Sequence, residues 1–183
     1  MNTVIYYVFI IQGENMIKTD YNAAETIIKK QEEMLQFEHF SNNVAWELGQ
    51  LMVGEIRKTG VELAVSIRKL NGNIVFQYAS ESTNLNNQNW MNRKFNTVKL
   101  MEKSSLAVTA ISKITLEDIQ THGLSDQNYV FCGGGFPVRI KEGGIVGIIT
   151  VSNLPHVQDH EFIVKCVSEY LKVTGVPTVD MEI

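Results

Sequence analysis

Two cysteines, Cys132 and Cys166, are too few for a disulfide framework and match no Cys-x-x-Cys metal spacing, so the chain reads as one kept in a reducing cytoplasm. No block of like charge is present: the net charge is −4 with Lys and Arg spread along the 183 residues, which leaves no footprint for nucleic acid or an acidic membrane surface. No Pro/Gly-rich linker, low-complexity tract or internal repeat divides the chain, and 44% hydrophobic residues suffice for one core. The apolar run from Val4 to Ile11 is too short to span a bilayer and has no basic region before it. Residues 1–15 read as an extension upstream of a natural start at Met16, with an extra strand or a segment packed on a neighbouring subunit as alternatives; residues 16–183 read as one domain. A nucleophile elbow, a dinucleotide fingerprint and paired catalytic carboxylates are all missing, so no residue set for an enzyme stands out.

What is present alternates between helical and strand patterns. A helix is expected from about Tyr21 to Glu33, then a strand over Met34–Phe40, where apolar residues alternate with polar ones. Ser41 caps a second helix to about Thr59, whose stripe is Val44, Leu48, Leu51, Met52 and Ile56, and Gly60 stops it. Strands near Val61–Leu70 and Ile74–Ala79 flank Asn71-Gly72, a strong hairpin signal. Helix returns over Asn84–Lys103 and continues through Ser104–Val108. Strands over Phe136–Ile140 and Ile145–Ser152 follow, the second apolar on both faces and therefore central. A last helix covers about Val157–Val173. The sum is an α/β (α+β) fold: a mostly antiparallel five-stranded sheet between helices in a three-layer α/β/α sandwich of profilin-like kind.

Three stretches draw chemical interest. Cys132-Gly133-Gly134-Gly135-Phe136 places three glycines beside a strand, either to cradle a ligand with backbone N–H groups or to permit close packing; no Gly-Lys-Ser/Thr follows, so it is not a nucleotide P-loop. Ser152 ends the central strand just before a helix, a common place for small ligands, yet Asp159 in that helix's first turn has an ordinary use as a cap. His156 and His160 stand four apart, without the HExxH pattern, and read as a metal-facing pair or as a solvated helix start. In Trp90-Met91-Asn92-Arg93-Lys94, the cations Arg93 and Lys94 suit a carboxylate or phosphate with Trp90 as a flat wall, or an acidic neighbouring subunit.

The stretches Gly133-Gly134-Gly135-Phe136-Pro137-Val138-Arg139-Ile140, Gly147-Ile148-Ile149-Thr150-Val151-Ser152, Pro155 and Asp159-His160 together resemble the haem-degrading-domain family, the HbpS-like or GlcG-like group. Trp90-Met91-Asn92-Arg93-Lys94 with Asn96-Thr97-Val98 resembles its conserved-hypothetical branch. The resemblance covers nearly everything after Met16. It implies a profilin-like fold, a homo-oligomer (a dimer or an assembly of dimers) and, in some relatives, haem as ligand or cofactor. Cys132 stands where many relatives have histidine. For haem, the candidate iron ligands are His122 and Cys132, with His39 a further lone histidine. The expected pocket is built from Trp90, Arg93, Lys94, Cys132, Gly133, Gly134, Gly135, Phe136, Ser152 and Asp159. The reading is a binder of a small molecule, haem or another tetrapyrrole, acting as a homo-oligomer, with no nucleic acid and no membrane. The alternatives are an oligomeric interaction protein without ligand and a haem-degrading enzyme.

Overall fold

The computed structural model describes residues 20–180, so the expectation for residues 1–15 lies outside the described residues. In chain order the elements are α1 (Tyr21–Met34), β1 (Gln36–Phe37), α2 (Asn42–Thr59), β2 (Ala64–Lys69), β3 (Ile74–Ala79), α3 (Leu85–Met101), α4 (Ser105–Thr115), β4 (Gly135–Ile140), β5 (Gly144–Ser152) and α5 (His156–Leu171). Local chemistry sets the helix ends. Asp20 accepts from the amides of Asn22 and Ala23, Ser41 from that of Val44, and Asn84 forms a reciprocal capping box with Asn87. Gly60, at φ 72°, ends α2 in the left-handed conformation.

The sheet order is β1-β4-β5-β2-β3, so β5 is the central strand. All pairings are antiparallel except β1 with β4. Two residues pair where a strand over Met34–Phe40 is expected. The alternation there is real, since Leu35 and Phe37 are buried, but Met34 belongs to α1 and only Gln36 and Phe37 reach β4. Phe40 instead packs edge-on against Phe37, ring centroids 5.4 Å apart. The last helix starts and ends a residue or two before the expected bounds, and α4 runs on to Thr115.

Alternation along the inner strands sends side chains to two different layers. Val65 and Ile67 of β2, Phe136 and Val138 of β4, and Ile149 and Val151 of β5 join Leu48, Met52 and Ile56 of α2 and Ile163, Val164 and Val167 of α5 in the main core. On the other side lies α3, with Phe95 and Val98 against Ile148. Beside them this face buries several polar residues: Ser66, Arg68, Thr150 and Ser152. Arg68 donates to Ser66 Oγ and Asn92 Oδ1 and lies over the Phe95 ring. α1 and α4 form a smaller core at the side, where Ile28, Leu106 and Ala110 meet Val179 near the C-terminus. Gln31 ties this region together: its Nε2 donates to Glu161 Oε1 and to the Pro177 carbonyl, both at 2.8 Å, while Glu161 also accepts from the Val179 amide.

Candidate functional site

The end of β5, the start of α5 and the first half of α3 enclose an open cleft of about 390 Å³. Of the residues singled out from sequence, Trp90, Lys94, Cys132, Ser152 and Asp159 line it. They come from three separate stretches, and the fold brings them to one end of the central strand, with His156 at the helix start beside them.

Its deepest feature is an ion pair. Lys94 and Asp159 side chains are 3% and 2% exposed, with Nζ 2.7 Å from Oδ2. Lys94 Nζ also donates to the Val151 carbonyl at 2.8 Å, and Asp159 Oδ1 accepts from the Leu154 amide at 3.0 Å. Burial pushes the Asp159 carboxyl up from its ordinary value, against the pull of Lys94 and of the amides of Leu154 and Asn153. Asp159 therefore does not cap α5: it holds the loop that leads into the helix, and α5 begins after Pro155 with no side-chain cap. Lys94 is likewise committed within its own chain, not to an acidic neighbour.

The glycines answer to this pair. A Cβ on Gly134, which sits at φ +103°, would lie 2.6 Å from Lys94 Nζ, 2.7 Å from the Val151 oxygen and 2.8 Å from Asp159 Cβ. A Cβ on Gly133 would meet the His156 carbonyl oxygen at 2.3 Å, and one on Gly135 would meet Val98 Cγ2 at 2.8 Å. What comes so close to this backbone is the protein's own α3 and α5. Two of the three amides are also engaged internally, Gly133 N–H by His156 Nδ1 and Gly135 N–H by Ser105 Oγ. Two of the run's three N–H groups are thus used inside the protein, and the glycines are not among the residues that line the cleft. Nor does Phe136, which is buried in the main core with its ring 5.7 Å from that of His160.

Arg93 stands outside the cleft wall but supports it: its guanidinium stacks 4.7 Å from the Trp90 ring centroid, and its Nε donates to the Tyr129 carbonyl. His122 is elsewhere, in a separate hollow of about 120 Å³ with Phe131, Val108 and Ile111, its Nε2 3.8 Å from Glu117. His39 is exposed. His160 is fully buried, not solvated: its Nε2 faces Gln31 Oε1 at 2.8 Å, its Nδ1 has no partner among the described residues, and burial holds its pKa down at about 3. Among the described residues no three His, Cys, Asp or Glu side chains gather as a metal site would need.

The sequence reading missed Asn86, Asn87 and Asn153 in the cleft wall. Asn87 Nδ2 donates to Ser152 Oγ and Asn153 Oδ1, and so fixes the loop after β5. An asparagine at the third position of a helix is an ordinary capping-box residue, and that local role hid the distant one.

The model of the haem degrading protein HbpS-like family matches residues 40–168. The chain belongs to this family. Among HbpS-like relatives, a UPF0303 protein of Yersinia pseudotuberculosis is 34% identical over 156 residues, covering 85% of this chain and 89% of the relative. One of Yersinia enterocolitica is 34% identical over 160 residues, covering 85% and 90%. In three dimensions the chain is similar to the Ybr137w protein at TM-score 0.75 and 18% identity, covering 81% of this chain and 87% of that one. It is also similar to HbpS at TM-score 0.57 and 19% identity, covering 74% and 92%, and to PduOC in its haem complex at 0.59 and 17%, covering 76% and 97%. These likenesses establish the fold that the sequence pattern predicts: a mixed, mostly antiparallel five-stranded sheet between helices. Among the described residues no helix is long and apolar enough to cross a membrane.

Proposed function

We propose that this HbpS-like protein binds a small ligand in the cleft between α3 and the start of α5, and does so as a homo-oligomer. The observation that carries the reading is the Lys94–Asp159 pair at the cleft wall. A buried ion pair is weak evidence for stability, because an apolar pair of similar volume commonly serves as well or better. Holding one beside an open cleft, at the end of the central strand of an α/β sheet, is the arrangement of a recognition site.

Haem is the ligand that the family description and the PduOC complex bring to mind, and the donor set of the cleft does not fit it. His156 Nδ1 accepts from the Gly133 amide, so in the neutral ring the proton sits on Nε2, whereas an iron-ligating imidazole donates its second N–H and offers the other nitrogen to the metal. Burial pushes the Cys132 thiol up, with Lys94 opposing and Asp159 adding to the rise, so it is held as a thiol and not the ligating thiolate. The wall is mostly amides, a hydroxyl and the Lys94–Asp159 pair, with Trp90 and Leu154 its only large apolar side chains, not the pair of apolar plates between which a macrocycle sits. Haem breakdown rests on the family description alone, and function on a shared fold belongs to the site.

The oligomer is supported by β3, an edge strand. Ile74 is 48% exposed, and Trp46 of α2, 55% exposed, packs edge-on against Phe76 at 5.9 Å. Exposed aromatic surface beside a strand edge that is unpaired among the described residues favours association. Size-exclusion with light scattering on the wild type and on Trp46→Glu/Ile74→Lys tests this, and a wild-type monomer sinks it. For the ligand, a thermal-shift screen that includes haemin compares the wild type with Trp90→Ala. Compounds that raise Tm only when Trp90 is present support the cleft. A haemin Soret shift that saturates and is lost in His156→Ala or Cys132→Ala would replace this reading with haem ligation.

A further inference from the structure

The cleft also specifies a ligand class, an inference that rests on the small-ligand reading above. An ammonium has three N–H donors. Two of those on Lys94 are taken, by the Val151 carbonyl and Asp159 Oδ2, and the third has no acceptor among the described residues, although Lys94 lines the cleft. Each Asp159 oxygen already accepts once, one from Lys94 and one from the Leu154 amide, and the carboxylate is 2% exposed, so the polar hydrogen left over in the pair is the third on Lys94. Next to it, the 16-residue helix α5 opens without a side-chain cap, and the one acidic group in its first turn, Asp159, is paired with Lys94, so the first-turn amides still favour an acceptor that carries negative charge. Ser152 already accepts from Asn87 through its Oγ and retains its own proton to donate. The Lys94 ammonium and the Ser152 hydroxyl therefore both offer donors to the cleft, while the Asn86, Asn87 and Asn153 amides of its wall can serve either way.

The apolar part of the wall is a fixed ring. Arg93 stacks on Trp90 and is itself held by the Tyr129 carbonyl, while Trp90 also lines the cleft and so can serve there as a stacking surface. An ordered aromatic plane beside a cluster of donors matches a flat molecule with an anionic acceptor at one edge. We propose that the ligand of this cleft is a small planar carboxylate, its ring against Trp90 and its carboxylate on the third N–H of Lys94.

The test uses the full chain with Trp46→Phe, which leaves Trp90 as the only tryptophan. Its emission is followed during titration with benzoate and with nicotinate, and in parallel with benzamide and cyclohexanecarboxylate. The expected result is saturable quenching by the two aromatic carboxylates, with both comparison compounds at least ten-fold weaker. Because Lys94→Met alone would strand Asp159 and threaten the fold, the decisive variant is Lys94→Met/Asp159→Leu, which removes both charges. Calorimetric affinity for benzoate should drop at least ten-fold in it and also in Trp90→Ala. Equal affinity for benzoate and benzamide, or undiminished benzoate binding by the double variant, overturns the ligand class while leaving the cleft as a binding site. A Trp90 signal that no compound moves, haemin included, overturns both the class and the small-ligand reading.

Discussion

The two faces of the sheet are built from the same strands and differ in almost every other respect. Under α2 and α5, residues such as Val65, Ile67, Ile149 and Val151 close a continuous apolar core. Under α3 the next residues along those strands, Ser66, Arg68, Thr150 and Ser152, are just as buried but polar, and α3 answers them with Asn87, Asn92 and Lys94. A buried polar layer adds little net stability and costs a great deal when one partner is lost, whereas an apolar layer loses stability in proportion to the volume removed. One face thus holds the domain together and the other fixes a particular arrangement of charge at the cleft.

The largest effect should come from breaking the polar face one partner at a time. Lys94→Met, which strands the Asp159 carboxylate, should cost about 3–5 kcal/mol in urea unfolding. Adding Asp159→Leu should recover most of it; a double variant no more stable than the single would show that the face depends on the charges themselves. On the apolar face, Leu48→Ala should cost about 2–5 kcal/mol, and no second substitution among its neighbours should rescue it in the same way. If the Lys94→Met loss is instead as small as at an exposed site, the contrast between the faces collapses.

Gly134→Ala comes next, at about 1–3 kcal/mol from its φ of +103°, with more added by the contact with Lys94. That excess should shrink in the Lys94→Met/Asp159→Leu background, and a constant cost in both would sever the glycine from the ion pair. His160 tests the contrast by pH. Its folded pKa of about 3 lies below the unfolded value near 6.5. Its contribution is therefore fully present above pH 6.5 and is lost as pH falls towards 3, because the unfolded chain there binds one proton more. His160→Gln should reduce the slope of stability against pH in that window by up to about 1.4 kcal/mol per pH unit; an unchanged slope assigns the acid limb to the carboxylates. The smallest effect is Arg93→Ala, within about 1 kcal/mol, seen as altered Trp90 emission more than as lost stability.

How far the sequence alone leads depends on the range of the interaction. The hairpin at Asn71-Gly72 is legible because two residues set the turn, and Gly72 adopts φ 90° as that turn requires. Central β5 is legible because its apolar run leaves no solvent face. The stretch Met34–Phe40 misleads: alternating burial is written there, but hydrogen-bond pairing depends on where β4 ends. At the cleft, Trp90, Lys94, Cys132, Ser152 and Asp159 each stand out by residue type, and the structure gathers them. Their partners do not stand out, because Lys94 and Asp159 are 65 positions apart and nothing local to either announces the other. The same distance explains why Asp159 reads as a helix cap and why Gly133–Gly135 stay open in sequence between a ligand cradle and close packing, when all four make close contacts within the protein.

Gln31 gives the assembly of the chain a clock. Its side-chain partners, His160, Glu161 and Pro177, lie 129, 130 and 146 positions away. Contacts of that span form after short-range ones such as the β2–β3 hairpin, because the entropy of closing so long a loop comes first. Ile28 of α1 packs on Leu106 and Ala110 of α4, a shorter span, so α1 can settle there before Gln31 finds its distant partners. Pulsed hydrogen exchange during refolding should find the amides of the β2–β3 hairpin protected before those of α1.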